Sequence, residues 1–216
     1  MAENEFTIET LPSVTDEILQ FFHDVKDYSV PLLEKGQLFD LKQTQASVYW
    51  AEQLCIHEDL DPVILIPAVY FHHTGYVGIL EKNTDCSMKY KRIRDWNDYH
   101  MKISAWIAHA FLNEHQINDK ISEFQKYQIV FSILHHDKLK NTSLIKRNIY
   151  LNTLIEADTL GQMDIGHTGP TFNRRGLIKY IGRELLPLRE PLITTDFGKK
   201  QFTQLSAKLF EYGRNM

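Results

Sequence analysis

The chain has 216 residues, of which 43% are hydrophobic and 24% charged, and its formal net charge is −4. This length suits one large domain or at most two small ones, and the composition is globular rather than disordered. An acidic total disfavours a dedicated nucleic-acid binder, although Lys and Arg cluster in residues 89–94, KYKRIR. We expect that cluster to be a solvated loop, and the alternative is a pocket edge that attracts phosphate.

Cysteine usage and hydropathy limit the compartment. Cys55 and Cys86 are the only cysteines and form no CxxC motif, so neither a disulfide scaffold nor a thiolate zinc site is expected. The first residues carry no signal-peptide pattern. The longest apolar stretch, residues 62–71, is about half of what a membrane span requires. We therefore expect a soluble cytoplasmic protein with no membrane partner.

Helical spacing of apolar residues dominates the first half of the chain. It predicts three helices, over residues 15–35, 41–56 and 63–71. The first opens with a Thr-Asp cap signal, and Pro62 suits the first turn of the third. The third is apolar nearly all round and should be central, with Pro67 as a point where it kinks or shortens. Residues 77–95 are predicted to form an irregular connection, of a length that is often functional.

The same periodicity continues in the second half, where no period-2 strand pattern is found. Further helices are predicted over residues 96–115, 119–135, 144–160, 172–186 and 197–210. Together they predict an all-α single domain over residues 1–216, a bundle of about seven to nine helices. Its core would span about residues 41–164, followed by C-terminal helices over 171–213. The helix from Phe197 is the expected surface for a possible homodimer.

Several titratable residues occur at the ends or inner faces of apolar helices. Each alone has a structural explanation as a capping or core histidine, a polar helix end, or a carboxylate paired with arginine. Their joint occurrence on different helices also fits a metal site, because imidazole and carboxylate together suit divalent transition metals. The residues are His72, His73, His100, His135, His136 and Asp158.

Four tracts resemble the HD superfamily of metal-dependent phosphohydrolases, in the same order and at similar spacing. They are AVYFHHTGY, YHMKISAWIAHAFL, IVFSILHHD and LIEADTLGQMD. The resemblance implies an HD-domain-like helical core that holds a divalent metal ion (Mn, Fe, Ni, Mg or Zn). His72 matches the histidine of the family's His-Asp pair, and Asp158 matches its late aspartate. His100 and His136, with His135 as the near alternative, match its additional histidines.

Two positions depart from the family pattern. His73 stands where the pair has aspartate, and the initial histidine is expected near Thr44, where the sequence reads KQTQAS. A neutral imidazole does not bridge two metal ions and offset their charge as a carboxylate does. The resemblance therefore implies a mononuclear site of His72, His73 and Asp158. His100 or His136 would be a further ligand or a general acid.

Two functions follow as expectations. The first is a metal-dependent phosphohydrolase that acts on a phosphate ester or nucleotide, with cations of the basic cluster (Lys89, Lys91, Arg92 or Arg94) contacting the substrate phosphate. The second is a catalytically inactive HD-like domain that binds a nucleotide or a protein partner. In that case the histidines and Asp158 form a hydrogen-bonded network that stabilises the bundle.

Overall fold

The computed structural model describes residues 13–36, 40–77, 93–114, 120–168 and 174–215, without the side chains of residues 93–97, 167 and 168. Every regular element within these ranges is helical, which confirms the predicted all-α bundle of about seven to nine helices, since nine of the α-helices are longer than four residues. The α-helices are α1 (Asp16–Glu34), α2 (Asp40–Glu58), α3 (Pro62–Phe71), α4 (Ile93–Glu114), α5 (Glu123–His135), α6 (Thr142–Arg147), α7 (Ile149–Met163), α8 (Ile165–Thr168), α9 (Arg174–Tyr180) and α10 (Asp196–Asn215). Short 3-10 turns occur at Thr74–Tyr76 and Glu190–Leu192, and a π-helix follows α9 at Ile181–Arg189.

Helix starts in the first half lie where the cap signals predict them. Thr15 is the N-cap of α1, and its hydroxyl accepts a hydrogen bond from the Ile18 N–H. Asp61 caps α3 by accepting from the Val63 N–H at 2.9 Å, and Pro62 occupies the first turn. These side chains satisfy main-chain donors that have no partner inside the helix, which explains why such boundaries are legible from sequence.

Several predicted helix boundaries are wrong, and capping residues explain two of them. The helix predicted over 119–135 begins at Glu123, because Ser122 and Gln125 form a capping box. The helix predicted over 144–160 is two helices, divided at Asn148, whose side chain caps α7 by accepting from the Leu151 N–H. Finally, α4 begins at Ile93, inside the connection predicted over 77–95. Residues 78–92 of that connection lie outside the described part of the chain.

The predicted C-terminal helix over 172–186 is present, but its π-helical part and its extension to Arg189 were not predicted. Helix α9 runs without a break into the π-helix, which extends to Arg189 and contains Pro187. A proline has no N–H to donate, and a wider helix is one way for the main chain to accommodate it. As a consequence Arg189 lies at the end of this segment, where it reaches the site described below.

Helix α3 is the centre of the bundle, as its apolar composition predicts. All ten of its residues are buried, and it runs through Pro67 to Phe71 without the predicted shortening. It packs against α1, α2, α4, α5 and α7. Helix α3 is therefore enclosed by its neighbours.

A second, smaller core lies under α6 and the 3-10 turn Glu190–Leu192 and comprises Leu139, Ile145, Leu151, Ile155 and Leu192.

Helices α2 and α7 cross closely at Gly161. A Cβ at Gly161 would lie 2.8 Å from the Ser47 main-chain nitrogen, which is nearer than a side chain can approach. The small residue thus brings the first turns of α2 against α7. This crossing positions Gln43 next to Asp158. Within the described residues, the helices are all too short or too polar to cross a membrane.

Candidate functional site

The turn that follows α3 holds two of the predicted histidines. His72 is the C-cap residue of α3, and its Nδ1–H donates to the main-chain oxygen of Val69. Nε2 is therefore the nitrogen of this ring that faces Asp158. Thr74 secures the turn, since its Oγ1 donates to the main-chain oxygen of Phe71 at 2.8 Å. The turn holds His72 fully buried and His73 at 6% exposure.

Gly75 allows this turn to pack directly on α4. A Cβ at Gly75 would lie 2.7 Å from the Ser104 main-chain nitrogen and closer still to the main-chain oxygen of His100. The Gly75 N–H donates to Ser104 Oγ at 2.8 Å, and that hydroxyl donates to the His72 main-chain oxygen at 3.0 Å. This close packing places the His100 ring 5.8 Å from the His73 ring, measured between centroids.

Helix α5 supplies a further histidine in the same manner as α3. His136 is its C-cap residue, and the His136 Nδ1–H donates to the main-chain oxygen of Ile133 at 2.7 Å. The ring is 2% exposed and lies 5.1 Å from the ring of His72. His135, in contrast, packs against Phe131, with 4.6 Å between ring centroids. Of the two adjacent histidines, His136 is the one that faces the site.

Four buried imidazoles thus meet where α3, α4 and α5 come together, and we call His72, His73, His100 and His136 the histidine cluster. Ligand atoms of His72, His73 and His136 all lie within 4.8 Å of one another, and so do those of His100, His136 and Asp137. Among the described residues, His73 Nδ1 is buried without a hydrogen-bond partner. An unsatisfied buried nitrogen is costly, and a bound ion would satisfy it.

Asp158 lies beside the histidine cluster and offers one oxygen to it. Asp158 Oδ1 is 3.4 Å from His72 Nε2 and accepts from the Gln43 amide at 2.7 Å. Oδ2 accepts from Arg189 Nη1 at 2.8 Å and from Gln162 Nε2 at 3.1 Å. The distance between His72 and Asp158 allows both to contact one ion. In the described part of the chain, however, Asp158 belongs to neither of the two compact groups of ligand atoms.

Arg189 and Asp137 complete the surroundings of the cluster. The Arg189 side chain is 4% exposed, and besides Asp158 it contacts Glu184, where Nε donates to Oε1 at 2.8 Å. Its Nη2 lies 3.8 Å from Asp137 Oδ1. Asp137 Oδ2 in turn lies 3.6 Å from His100 Nε2. Within the described residues a third aspartate flanks the cluster, since Asp40 Oδ1 lies 3.9 Å from His73 Nδ1. At 14% exposure, the Asp137 side chain is the most accessible of the three, against 6% for Asp40 and 2% for Asp158.

Burial sets the charge of the cluster. Burial lowers the pKa of His73 well below its ordinary 6.5, and the neighbouring His72 lowers it further. Burial likewise lowers the pKa of His136. For Asp158, burial alone would raise the pKa, but Arg189 and then His72 hold it well below its usual value. At neutral pH the imidazoles of His73 and His136 are therefore neutral and lie near an ionised carboxylate, and this combination of donors suits transition metals.

The geometry fits one ion rather than two. Because the Nδ1–H of His136 is committed to Ile133, His136 has a single lone-pair nitrogen and can serve one of the two groups at a time. His72 and His136 are also the C-cap residues of α3 and α5. The negative ends of two helix dipoles thus lie at the cluster and favour a cation there.

The remaining predicted positions can now be placed, together with the residues that sequence reasoning missed, which include Asp40 beside His73. Lys89, Lys91 and Arg92 lie outside the described residues, and Arg94 lies on α4 with its side chain undescribed. Asp137 was missed as a site residue although it directly follows His136. Gln43 lies close to where the family resemblance places its initial histidine. Arg189 had no local signal, since it follows a proline break far from any motif.

Comparison with models of protein families, with curated proteins and with solved structures finds no match for this chain.

Proposed function

We propose that this chain binds one divalent transition-metal ion through His72, His73 and His136 and hydrolyses a phosphate ester or nucleotide. The observation that carries the proposal is the convergence of these three buried imidazoles, whose ligand atoms lie within 4.8 Å of one another. Two of them have their Nδ1–H tied to a main-chain carbonyl, which fixes the tautomer and orients the ring as is usual for metal-bound histidine. His73 adds a buried Nδ1 that makes no hydrogen bond within the described residues and lies 3.9 Å from Asp40 Oδ1.

The proposed ligand set differs from the expected one by a single residue. His136 replaces Asp158 as the third ligand, because Asp158 lies outside the compact group and already accepts from Arg189, Gln43 and Gln162. Asp158 keeps one oxygen 3.4 Å from His72, so it contributes negative charge next to the ligands. A three-imidazole set favours zinc, iron, cobalt or nickel over magnesium.

Hydrolysis of a phosphate ester requires a polarised phosphoryl oxygen and an activated water, and a bound transition ion supplies both. The protein's own residues would manage the protons. His100 lies 3.3 Å from His136 and 3.6 Å from Asp137, so it is placed to pass a proton to a carboxylate that borders solvent. The substrate class rests on the HD resemblance, and all four of its tracts contribute a residue at or beside the histidine cluster.

The inactive alternative has one observation in its favour. Both oxygens of Asp158 have hydrogen-bond partners in the absence of an ion, through Gln43 on one side and Arg189 on the other. A satisfied buried network of this kind stabilises a bundle without any metal. Metal binding separates the two hypotheses directly.

The test compares two adjacent histidines. The wild-type protein, loaded with zinc, cobalt, manganese, nickel or iron(II) and then desalted, is expected to retain about one ion per chain by elemental analysis. His136→Ala should lose the ion and His135→Ala should keep it, because His135 packs outside the cluster. Asp158→Ala is unsuitable as a control, since it leaves Arg189 buried without its main partner, a loss that typically costs about 3–5 kcal/mol.

Activity is measured on the same samples with 4-nitrophenyl phosphate, its bis ester and nucleoside phosphates. Metal-dependent release of product that is lost in His136→Ala and kept in His135→Ala would support hydrolysis. A wild-type protein that retains no ion in any of the loadings would refute the proposed function.

A further inference from the structure

Arg189 is a fixed positive charge at the edge of a site that is proposed to hold a cation. Its guanidinium is buried and contacts Asp158, Glu184 and Asp137, and its Nη1 also lies 3.3 Å from Thr159 Oγ1. Burial alone would lower the pKa of Arg189, but Asp158 and the other carboxylates raise it well above its usual value. Arg189 is therefore a permanent cation beside the histidine cluster.

The two oxygens of Asp158 have different partners. Oδ2 is bound by Arg189 and Gln162, whereas Oδ1 faces His72 and is held by Gln43. The Asp158 carboxylate would thus lie between an ion at the cluster and the guanidinium, with one oxygen turned to each side. The same is true on the other side, where Asp137 Oδ1 faces Arg189 and Oδ2 faces His100.

Two opposing effects follow from this arrangement. Arg189 orients Asp158, whose negative charge lies next to the ligands, so loss of this orienting partner would weaken metal binding. Arg189 also repels a divalent ion across one shared carboxylate, where the effective dielectric constant of a protein site is about 20. Asp158 is additionally fixed by Gln43 and Gln162, so the orientation survives removal of Arg189 better than the repulsion does.

We infer that Arg189 sets the metal affinity of the site by charge and keeps it below the affinity that the histidine cluster would have without this cation. This inference rests on the proposed function, because it concerns the same site. Glu184 has the opposite role: it partly neutralises Arg189 from the outer side of the π-helix. Removal of either residue's charge should therefore change the affinity in opposite directions.

The experiment measures zinc affinity by competition with a fluorescent chelator in the full-length chain. Arg189→Met should bind zinc at least about tenfold more tightly than wild type, because the repulsion is lost. Arg189→Lys is the matched control, since it keeps the charge and loses the guanidinium geometry, and its affinity should stay within about threefold of wild type. Glu184→Gln should bind zinc about two- to fivefold more weakly, a smaller effect because the Glu184 side chain is 41% exposed.

The signs of these changes decide the inference. If both Arg189 variants bind zinc more weakly than wild type, Arg189 acts by orienting Asp158, and the inference is overturned. Should Arg189→Met fail to fold by circular dichroism, Glu184→Gln and Arg189→Lys carry the test, and unchanged or tighter binding in Glu184→Gln would overturn it equally. If wild type binds zinc but the Arg189→Met affinity is unchanged, this inference fails and the proposed function stands. If neither binds zinc, both fail.

Discussion

His135 and His136 are adjacent in the chain and lie in different surroundings. Both extend the same apolar helix, so sequence periodicity could not choose between them. The end of α5 decides, because the C-cap position turns His136 inward and ties its Nδ1–H to Ile133. His135 remains on the helix against Phe131. A rotation of one residue at a helix end is about 100° and separates a buried side chain from a half-exposed one.

The low pKa values of His73 and His136 predict that stability depends on pH. In the unfolded chain both imidazoles take up a proton near their ordinary pKa of 6.5, whereas burial prevents this in the folded chain. The unfolded state thus binds more protons below pH 6.5. The stability that these two neutral imidazoles contribute is fully present above pH 6.5. It falls as the pH decreases toward their lowered pKa values in the folded chain.

Urea unfolding of the metal-free protein, with a chelator present, measures this dependence between pH 7.5 and about 5. The free energy of unfolding should fall by roughly 1.4 kcal/mol per pH unit for each of His73 and His136 once the pH is below 6.5. His73→Asn should reduce that slope by about 1.4 kcal/mol per pH unit, because the variant lacks one group that takes up a proton on unfolding. A wild-type slope of zero across this range, or an unchanged slope in the variant, would contradict the account.

At the same scale, the sequence predicted which residue types form the site better than it predicted their partners. His72, His73, His100 and His136 were recognised because polar residues at the ends and inner faces of apolar helices need an explanation. The partners Gln43 and Arg189 lie 115 and 31 residues from Asp158 in the chain. Only the packing of α2 and of the π-helix against α7 reveals them.

At the scale of elements, glycine at a helix crossing limits how α2 and α7 can pack. Gly161→Ala would place a methyl group against the main chain of Ser47, so we expect a loss of about 1–3 kcal/mol in unfolding free energy. Gly182→Ala is the matched control, because a Cβ there meets nothing within 4 Å. It should be neutral or slightly stabilising.

Urea or thermal unfolding of both variants tests this packing. Because the crossing also positions Gln43 at Asp158, Gly161→Ala should weaken metal binding as well, while Gly182→Ala should not. Equal stabilities of the two variants would mean that the α2–α7 crossing tolerates a side chain, and that the close approach is not required.

Helix existence was predictable from periodicity, and helix boundaries were predictable only where a cap signal stood at the right residue. Thr15 and Asp61 gave correct starts. Asn148 was overlooked because apolar spacing continues across it, although its main-chain N–H donates to the Ile145 oxygen at the end of α6 and its side chain caps α7. The π-helix had no signal beyond Pro187, since periodicity does not distinguish a wider helix over nine residues.

For the whole molecule, the fold brings together residues that are far apart in the chain. His72 and His73 follow α3, His100 lies on α4, His136 ends α5, and Asp158 lies on α7. Helix α3 is buried and runs through the middle of the bundle. The HD resemblance predicted this convergence by motif order. A bundle with one central apolar helix produces it physically, because every neighbouring helix must pack on the same buried element.

The ion's position is the most direct test of the central claim. A crystal of the zinc-loaded protein, with diffraction data on both sides of the zinc absorption edge, would locate the ion by its anomalous signal. We predict one peak about 2.0–2.1 Å from a ring nitrogen of each of His72, His73 and His136. Asp158 would remain paired with Arg189. No peak at the cluster, or a peak held only by residues elsewhere on the chain, would contradict the account.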